Sequence, residues 1–144
     1  MIKQLTIFVE NQPGRLTEVF EILAGAGVDI RAVSVADTAD FGLLRLIVDQ
    51  PEKAVEVIER QGIALLLTDV IAIGRDDRPG AFAAALRLLS NAGVDVEYMY
   101  AAISRKAGMA HIILRVENWE QAAEILTNGG VELLSPEEVY GVNL

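Results

Sequence analysis

The chain has 144 residues, no cysteine and a formal net charge of −9, from 12 basic and 21 acidic residues. The lack of cysteine excludes a disulfide framework, an iron–sulfur cluster and a thiolate zinc site. The acidic balance argues against nucleic acid as a partner, because phosphate binding requires clustered Lys and Arg. Apolar residues make up 52% of the chain, but no apolar run is long enough to cross a bilayer, and no export signal follows Met1. These features predict a cytoplasmic protein that binds no membrane.

The sequence repeats itself, with an offset of 66 residues that becomes 68 further along the chain. The clearest matches are Pro13-Gly14 with Pro79-Gly80 and Ala26–Asp29 with Ala92–Asp95. An internal repeat of this kind indicates duplicated structural units. We therefore predict two small domains of about 70 residues each, at residues 1–70 and 71–144.

In the first copy, helical and strand periodicities alternate along the chain. Apolar residues spaced as on one face of a helix follow Pro13-Gly14, and a second such stripe begins at Pro51. Runs rich in β-branched residues predict strands at 3–9, 29–37 and 43–49 and from Leu65 onward, with a hairpin turn over Thr38–Gly42. The predicted order of elements is β-α-β-β-α-β.

The second copy shows the same order. It comprises a strand over 70–75, a helix after Pro79-Gly80, strands near 94–103 and 109–117, a helix near 118–128 and a last strand within 131–142. This order predicts an α+β fold of two ferredoxin-like repeats, each an antiparallel sheet with both helices on one face. Because residues 70–73 match both the closing strand of the first copy and the opening strand of the second, we predict one strand near residues 64–75 that couples the repeats tightly.

Both faces of the third predicted strand carry large apolar side chains. Leu44, Leu46 and Val48 alternate with Leu43 and Ile47. A sheet that has helices on one face and water on the other should be polar on the second face. We therefore expect a contact between copies or between chains to cover that face, and hence a homodimer.

The turn between the first strand and the first helix recurs in both copies. The two segments are Asn11-Gln12-Pro13-Gly14-Arg15-Leu16 and Asp77-Arg78-Pro79-Gly80-Ala81-Phe82. Amides in the first turn of a helix lack internal partners and carry partial positive charge, so they suit a carboxylate. An Asn or Asp side chain beside them suits an ammonium group, so the element can satisfy both ends of a free amino acid. The alternative interpretation is a tight Pro-Gly turn that the Asn or Asp merely caps.

An aspartate follows Ala-Gly-Val in both copies, at Asp29 and Asp95, where the second strand is predicted to begin. Either side chain could bind an amine, or could serve only to cap the entry into the strand. The residues alone leave both interpretations open.

These motifs together resemble the ACT domain, a small-molecule regulatory module of amino-acid metabolism, over essentially all 144 residues. The resemblance implies that a ligand binds at an interface between ACT units, at the Pro-Gly turn and the start of the second strand. The candidates it implies are Asn11, Gln12, Pro13, Gly14, Arg15, Leu16 and Asp29 in the first copy, and Asp77, Arg78, Pro79, Gly80, Ala81, Phe82 and Asp95 in the second.

The chain departs from the family pattern in two respects. Family sites often carry Asn where this sequence has Asp29 and Asp95, which favours a ligand with additional positive charge. The two turns also differ from each other, since the positions of Arg15 and Leu16 are taken by alanine and phenylalanine in the second copy. We therefore expect that the two copies do not bind a ligand equivalently.

The function that these residues favour is that of a non-catalytic regulatory protein, a sensor that binds a small amino acid between its repeats or between chains. The alternative is a regulatory small subunit that docks on an amino-acid biosynthetic enzyme or regulator. The acidic charge and an aromatic content of 6% argue against a single-strand RNA binder of the same strand order. No repeated acid–base or metal-ligand pattern predicts an enzyme, a cofactor or a metal site.

Overall fold

The structure is a computed structural model, which describes residues 1–37 and 41–141. The described strands are β1 Ile2–Glu10, β2 Ile30–Asp37, β3 Phe41–Val48, β4 Leu65–Asp76, β5 Tyr98–Ala102, β6 Met109–Arg115 and β7 Glu132–Leu133. The described helices are α1 Arg15–Gly25, α2 Pro51–Arg60, α3 Ala81–Asn91, α4 Trp119–Asn128 and α5 Pro136–Tyr140. None of the helices within these described ranges is long and apolar enough to cross a membrane.

The chain divides into two compact units. Among the described residues, the N-terminal unit consists of Lys3–Thr68 with Tyr140 and Gly141, and the C-terminal unit consists of Asp69–Val139 with Met1 and Ile2. The single strand predicted near residues 64–75 is present as β4, which runs without a break over 12 residues. The division between the units falls within this strand, after Thr68.

In the N-terminal unit, β3 lies between β1 and β2 and is antiparallel to both. The start of β4 pairs with the other side of β1. The Phe8 N–H donates to the carbonyl of Ala64, the residue just before β4, at 3.1 Å. The Thr6 and Thr68 hydroxyls are hydrogen-bonded at 2.9 Å along the same edge. The strand order is therefore β4-β1-β3-β2, which is that of a ferredoxin-like unit.

The core of the N-terminal unit lies between this sheet and the helices α1 and α2. Val19 and Leu23 of α1 are four residues apart, as are Ala54 and Ile58 of α2, so each pair lies on one face of its helix. These side chains pack against a fully buried set on β1 and β3: Leu5, Ile7, Leu44, Leu46 and Val48. The helical periodicity in the sequence thus marks the buried stripes.

The second face of this sheet is partly buried and partly open. Ile47 is fully buried and Thr6 is 8% exposed, whereas Phe8 and Phe41 are 37% and 40% exposed. The two phenylalanine rings lie 6.0 Å apart between centroids. Large apolar groups therefore do lie on this face, and their coverage by a second chain stays a prediction.

In the C-terminal unit, the second part of β4 lies between β6 and β7, and β6 pairs with β5. All these pairings are antiparallel, which gives the order β7-β4-β6-β5. The buried core combines this sheet with α3 and α4 through Ile71, Ile73, Leu114, Val116, Ala85, Leu89, Ala122 and Leu126. The predicted α+β class with antiparallel pairing is confirmed.

The end of the second copy differs from the prediction of a strand within 131–142. Only Glu132–Leu133 is a strand, and the helix α5 begins at Pro136. The Glu138 N–H donates to Ser135 Oγ at 3.1 Å, and the Ser135 N–H donates to Glu138 Oε1 at 3.2 Å. This reciprocal pair is a capping box, which favours a helix start over a continued strand.

The strand predicted over 94–103 is also shorter, since β5 begins at Tyr98. Val94 and Val96 instead pack against the core of the C-terminal unit, and the Val94 N–H donates to the Leu89 carbonyl at the end of α3. In the first copy, Thr38, Ala39 and Asp40 of the predicted hairpin turn lie outside the described residues. The remaining two turn positions, Phe41 and Gly42, belong instead to β3, where they pair with Glu10 and Val9 of β1.

Replacing Gly129 by alanine is expected to lower the free energy of unfolding by about 1–3 kcal/mol, because it overpacks the contact between α3 and α4. A Cβ at this position would overlap Cδ1 of Leu88 and would lie 3.2 Å from Cγ of the same residue. The backbone of Gly129 has φ −86°, which any residue adopts, so the cost arises from the contact alone. Urea denaturation measures the change.

The matched control is the same substitution in a Leu88→Ala background, where the opposing side chain is absent. Gly129→Ala should cost less there, with an interaction free energy of about 0.5–3 kcal/mol in a double-mutant cycle. If the losses of unfolding free energy in the two single variants simply add in the double variant, Leu88 moves aside freely, which would contradict the prediction.

Candidate functional site

The turn between β1 and α1 is built by backbone hydrogen bonds. The Gln12 N–H donates to the Glu10 carbonyl at 2.8 Å, and the Arg15 N–H donates to the Gln12 carbonyl at 3.3 Å. Gly14 has φ 87°, in the left-handed region that residues with a Cβ rarely adopt. Pro13 and Gly14 therefore fix the turn, and the side chains of Asn11 and Gln12 are not needed to close it.

The N-terminus of α1 is open. Its N-cap residue is Gly14, and within the described part of the chain no side chain accepts a capping hydrogen bond there. Asn11 therefore does not cap this helix. In α4, by contrast, Asn118 Oδ1 accepts from the Gln121 N–H at 3.1 Å. The first turn of α1 thus presents amides with partial positive charge at the end of β1.

A cavity of about 270 Å³ adjoins this turn. Its lining residues are Val9, Glu10, Asn11, Gln12, Leu16, Val35, Asp37, Gly42 and Leu44. Three predicted residues, Asn11, Gln12 and Leu16, thus come together with the ends of β2 and β3. The strand register explains why these residues lie close together, because Gly42 of β3 is paired with Val9 of β1 on one side and with Asp37 of β2 on the other.

The cavity combines apolar walls with acidic groups. Leu44 is fully buried, whereas Leu16 and Val35 are 41% and 55% exposed. Glu10 and Asp37 are both exposed. Of the lining residues that the structure describes, none is basic, so the cavity favours a group of positive charge.

Arg15 does not line this cavity. Its Nη1 lies 3.2 Å from Glu18 Oε2, and its Nε lies 3.6 Å from Glu10 Oε2. It lines instead a second cavity of about 270 Å³ between β1, α1 and the segment that precedes β4, which includes Ile63 and Ala64. Exposed ion pairs of this kind add little stability.

Asp29 lies away from the turn. Asp29 directly precedes β2, whereas the cavity is lined by Asp37 at the other end of this strand. The two residues are eight positions apart, which corresponds to roughly 25 Å of extended chain. The Asp29 N–H donates to Asp49 Oδ1 at 2.8 Å, and Arg31 Nη1 donates to Asp29 Oδ2 at 3.3 Å. These contacts hold the start of β2 against the end of β3, and a role of Asp29 in ligand binding stays a prediction.

The second copy repeats the backbone of the turn. The Arg78 N–H donates to the Asp76 carbonyl at 2.8 Å, and the Ala81 N–H donates to the Arg78 carbonyl at 3.3 Å. Gly80 has φ 86°, and no described side chain caps α3. Pro79-Gly80 therefore has the same local structure as Pro13-Gly14, as the repeat predicts.

The surroundings of the second turn differ from those of the first. Arg75 occupies the position of Val9, and its Nε donates to the Ala81 carbonyl at 3.2 Å. Ala81 is 2% exposed, and Phe82 packs against the core of the C-terminal unit. The Asp77 N–H donates to the Gly108 carbonyl at 2.9 Å. A guanidinium thus lies where the first copy has an apolar cavity wall.

Asp95 lies apart from this turn, as Asp29 does in the first copy. It lines a cavity of about 230 Å³ together with Gly93, Val94, Glu97, Glu117, Asn118 and Gln121. Glu97 is paired with Arg115 Nε at 3.2 Å. Across the described residues, no three His, Asp or Glu side chains form a group able to hold a metal ion.

Sequence reasoning missed six of the described lining residues of the first cavity: Val9, Glu10, Val35, Asp37, Gly42 and Leu44. Val9 and Glu10 directly precede the Asn11 motif, so their position is a usable signal. The other four depend on the register of β3 against its two neighbours, which the repeat does not specify.

The fold and the two turns define a protein of two ferredoxin-like units, each with a Pro-Gly turn before its first helix. Residues 1–142 match the family described as the ACT domain pair. The chain belongs to this family, and the resemblance drawn from the turn motifs is confirmed.

Among solved structures, the chain is similar to the protein BT0572 from Bacteroides thetaiotaomicron, with 40% identity, a TM-score of 0.91 and coverage of 98% of this chain and 96% of that one. It shares its fold with the regulatory subunit of aspartate kinase from Thermus thermophilus in ligand-free form, with 18% identity and a TM-score of 0.64. That match covers 88% of this chain and 91% of the subunit. A comparison with curated proteins found no match.

Proposed function

We propose that this ACT domain pair is a non-catalytic, cytoplasmic regulatory protein that binds a small free amino acid at the β1–α1 turn. The repeats are assigned to residues 1–70 and 71–144, and the site belongs to the first. The observation that carries the proposal is the cavity in which Asn11, Gln12 and Leu16 meet Val35 and Asp37. Family membership supports a role in sensing, because the ACT resemblance implies a regulatory module of amino-acid metabolism.

The cavity offers complementary groups to both ends of a zwitterion. The carboxylates of Glu10 and Asp37 suit an ammonium group. The first-turn amides of α1 suit a carboxylate, since they carry partial positive charge. The side-chain amides of Asn11 and Gln12 both donate and accept, so they can orient either end of the ligand.

A second copy of the chain is the proposed partner that completes the site. The side chains of Leu16 and Val35 keep 41% and 55% of their surface exposed, so a ligand seated between them would itself present a surface to a neighbour. An amino acid that binds the paired chains better than the single chain shifts the equilibrium toward the pair. The uninterrupted β4 is proposed to couple the two repeats during this shift.

A second candidate is a regulatory small subunit that docks on an amino-acid biosynthetic enzyme. The shared fold with the regulatory subunit of aspartate kinase favours it. The exposed Phe8 and Phe41 offer an apolar surface for such docking. In this candidate, the amino acid changes the activity of the enzyme and needs no self-association of the chain.

A thermal-shift screen of the common amino acids tests the sensor. We expect one amino acid, or a few of related chemistry, to raise the melting temperature by several degrees. A ligand at 100 times its dissociation constant adds about 2.7 kcal/mol to the stability. Light scattering with and without that amino acid measures the accompanying change in mass.

The outcomes separate the candidates. A melting shift with an increase in mass supports the sensor as a ligand-dependent dimer. A melting shift at unchanged monomer mass would contradict the role of the second copy. No shift with any amino acid would contradict amino-acid binding by the isolated chain, and of the second candidate it would leave only docking on the enzyme.

A further inference from the structure

We propose that the cavity beside the β1–α1 turn selects an amino acid with an uncharged aliphatic side chain, an inference that rests on the proposed function. Four of its nine described lining residues are aliphatic, and each comes from a different element: Val9 from β1, Leu16 from α1, Val35 from β2 and Leu44 from β3. An apolar wall assembled from four elements favours an apolar occupant.

The exposure of these residues points to the same occupant. Leu44 is fully buried and belongs to the core, so its packing is explained without a ligand. Leu16 and Val35 are 41% and 55% exposed although they line the same cavity. An aliphatic side chain placed between them would remove apolar surface from water on both walls.

The charges of the cavity disfavour an acidic side chain. Glu10 and Asp37 are the acidic residues among its described lining residues, and none of those residues is basic. Arg15 lies outside the cavity, with its Nε 3.6 Å from Glu10 Oε2 in an exposed ion pair. A ligand with a second carboxylate would therefore meet like charges that one exposed ion pair compensates only weakly. The α-ammonium group, which every free amino acid carries, supplies the positive charge that these carboxylates favour.

The relative sizes of the charge and apolar contributions to affinity disfavour a basic side chain in the ligand. The carboxylates of the site are exposed, and an exposed ion pair changes affinity by at most about fivefold. Burial of an aliphatic side chain against apolar walls changes it by roughly tenfold to hundredfold. Apolar burial therefore contributes more to the affinity than an exposed ion pair does. The ligand gains more affinity from contact with Leu16 and Val35 than from a second ammonium group.

The size of the cavity fits a ligand of this class. Pockets for drug-sized molecules occupy about 300–1,000 Å³. The cavity at the turn is about 270 Å³, just below that range, which suits a single free amino acid.

Isothermal titration of the full chain with alanine, valine, leucine, lysine and glutamate tests the inference. We expect leucine or valine to bind at least about tenfold more tightly than alanine. Lysine should bind more weakly than leucine, and glutamate should bind least. Each titration uses the same buffer, because exposed charges are screened by salt.

Variants of the walls link this preference to the cavity. Leu16→Ala and Val35→Ala should each lower the leucine-to-alanine affinity ratio by about three- to tenfold, since each removes apolar contact from the longer ligand only. Both residues are exposed, so folding should be retained. The matched control is Leu66→Ala, which shortens a leucine of β4 that is 56% exposed, as Val35 is at 55%, and that does not line the cavity.

The outcomes distinguish this inference from the function on which it rests. A preference for lysine or glutamate over leucine, or a leucine-to-alanine ratio that Leu16→Ala leaves unchanged, overturns the aliphatic assignment while amino-acid binding stands. If none of the five amino acids binds, and the wider screen of amino acids also fails, the proposed function falls and the inference falls with it.

Discussion

The double substitution of Asn11 and Gln12 by alanine is expected to lower the affinity for the bound amino acid roughly 5- to 150-fold. Each side-chain amide that hydrogen-bonds the ligand contributes about 0.5–1.5 kcal/mol. Both residues line the cavity and are exposed. The turn itself should persist, because the Gln12 N–H and carbonyl bonds that close it belong to the backbone. Titration with the amino acid found in the screen measures the loss.

The repeat supplies a matched control, since Asp77 and Arg78 occupy the corresponding positions of the second turn. Their substitution by alanine should change the affinity by less than about twofold, because the surroundings of that turn are not equivalent. The unfolding free energy of both double variants should stay within about 0.5 kcal/mol of the parent, as for exposed sites in general. Equal losses of binding in the two variants would contradict the assignment of the site to the first repeat.

The second large effect concerns the core beneath the site. Leu46→Ala should lower the free energy of unfolding by about 2–5 kcal/mol, because it leaves a cavity in a closely packed interior. Leu46 is fully buried and is paired with Leu5 on one side and Val33 on the other. The whole free energy of unfolding of a native protein is typically about 5–15 kcal/mol, so this loss is large. Urea denaturation followed by circular dichroism measures it.

Two controls accompany this measurement. Leu46→Met keeps the volume and should cost less than about 1.5 kcal/mol, and Leu66→Ala, at a position 56% exposed, should cost less than about 0.5 kcal/mol. A loss as small for Leu46→Ala as for Leu66→Ala would contradict the assigned core.

The same experiment tests the proposed coupling of the repeats. The single tryptophan, Trp119, lies in the C-terminal unit, so its fluorescence reports on that unit while the substitution is in the other. If β4 couples the repeats, Leu46→Ala shifts the fluorescence transition and the circular dichroism transition together. A fluorescence transition that stays in place would show that the units unfold independently.

Local signals in the sequence accounted for the elements whose stabilising contacts lie close together in the chain. The helical stripes that contain Val19, Leu23, Ala54 and Ile58 are buried as predicted. The Pro-Gly turns are also predictable from the local sequence, because the left-handed backbone at Gly14 favours a residue without a Cβ. The capping box at Ser135 is equally local, and it starts α5 within the range where the repeat predicts a strand.

The duplicated sequence by itself determined the family, the two units and the turn that borders the cavity, because each follows from short motifs whose conformation is set by neighbouring residues. Tertiary structure alone decided which distant residues meet that turn. Val35 and Asp37 reach it through the pairing of β1 and β2 with β3, while Asp29 is carried to the far end of β2. Register is a property of paired strands, so no single segment of the chain encodes it.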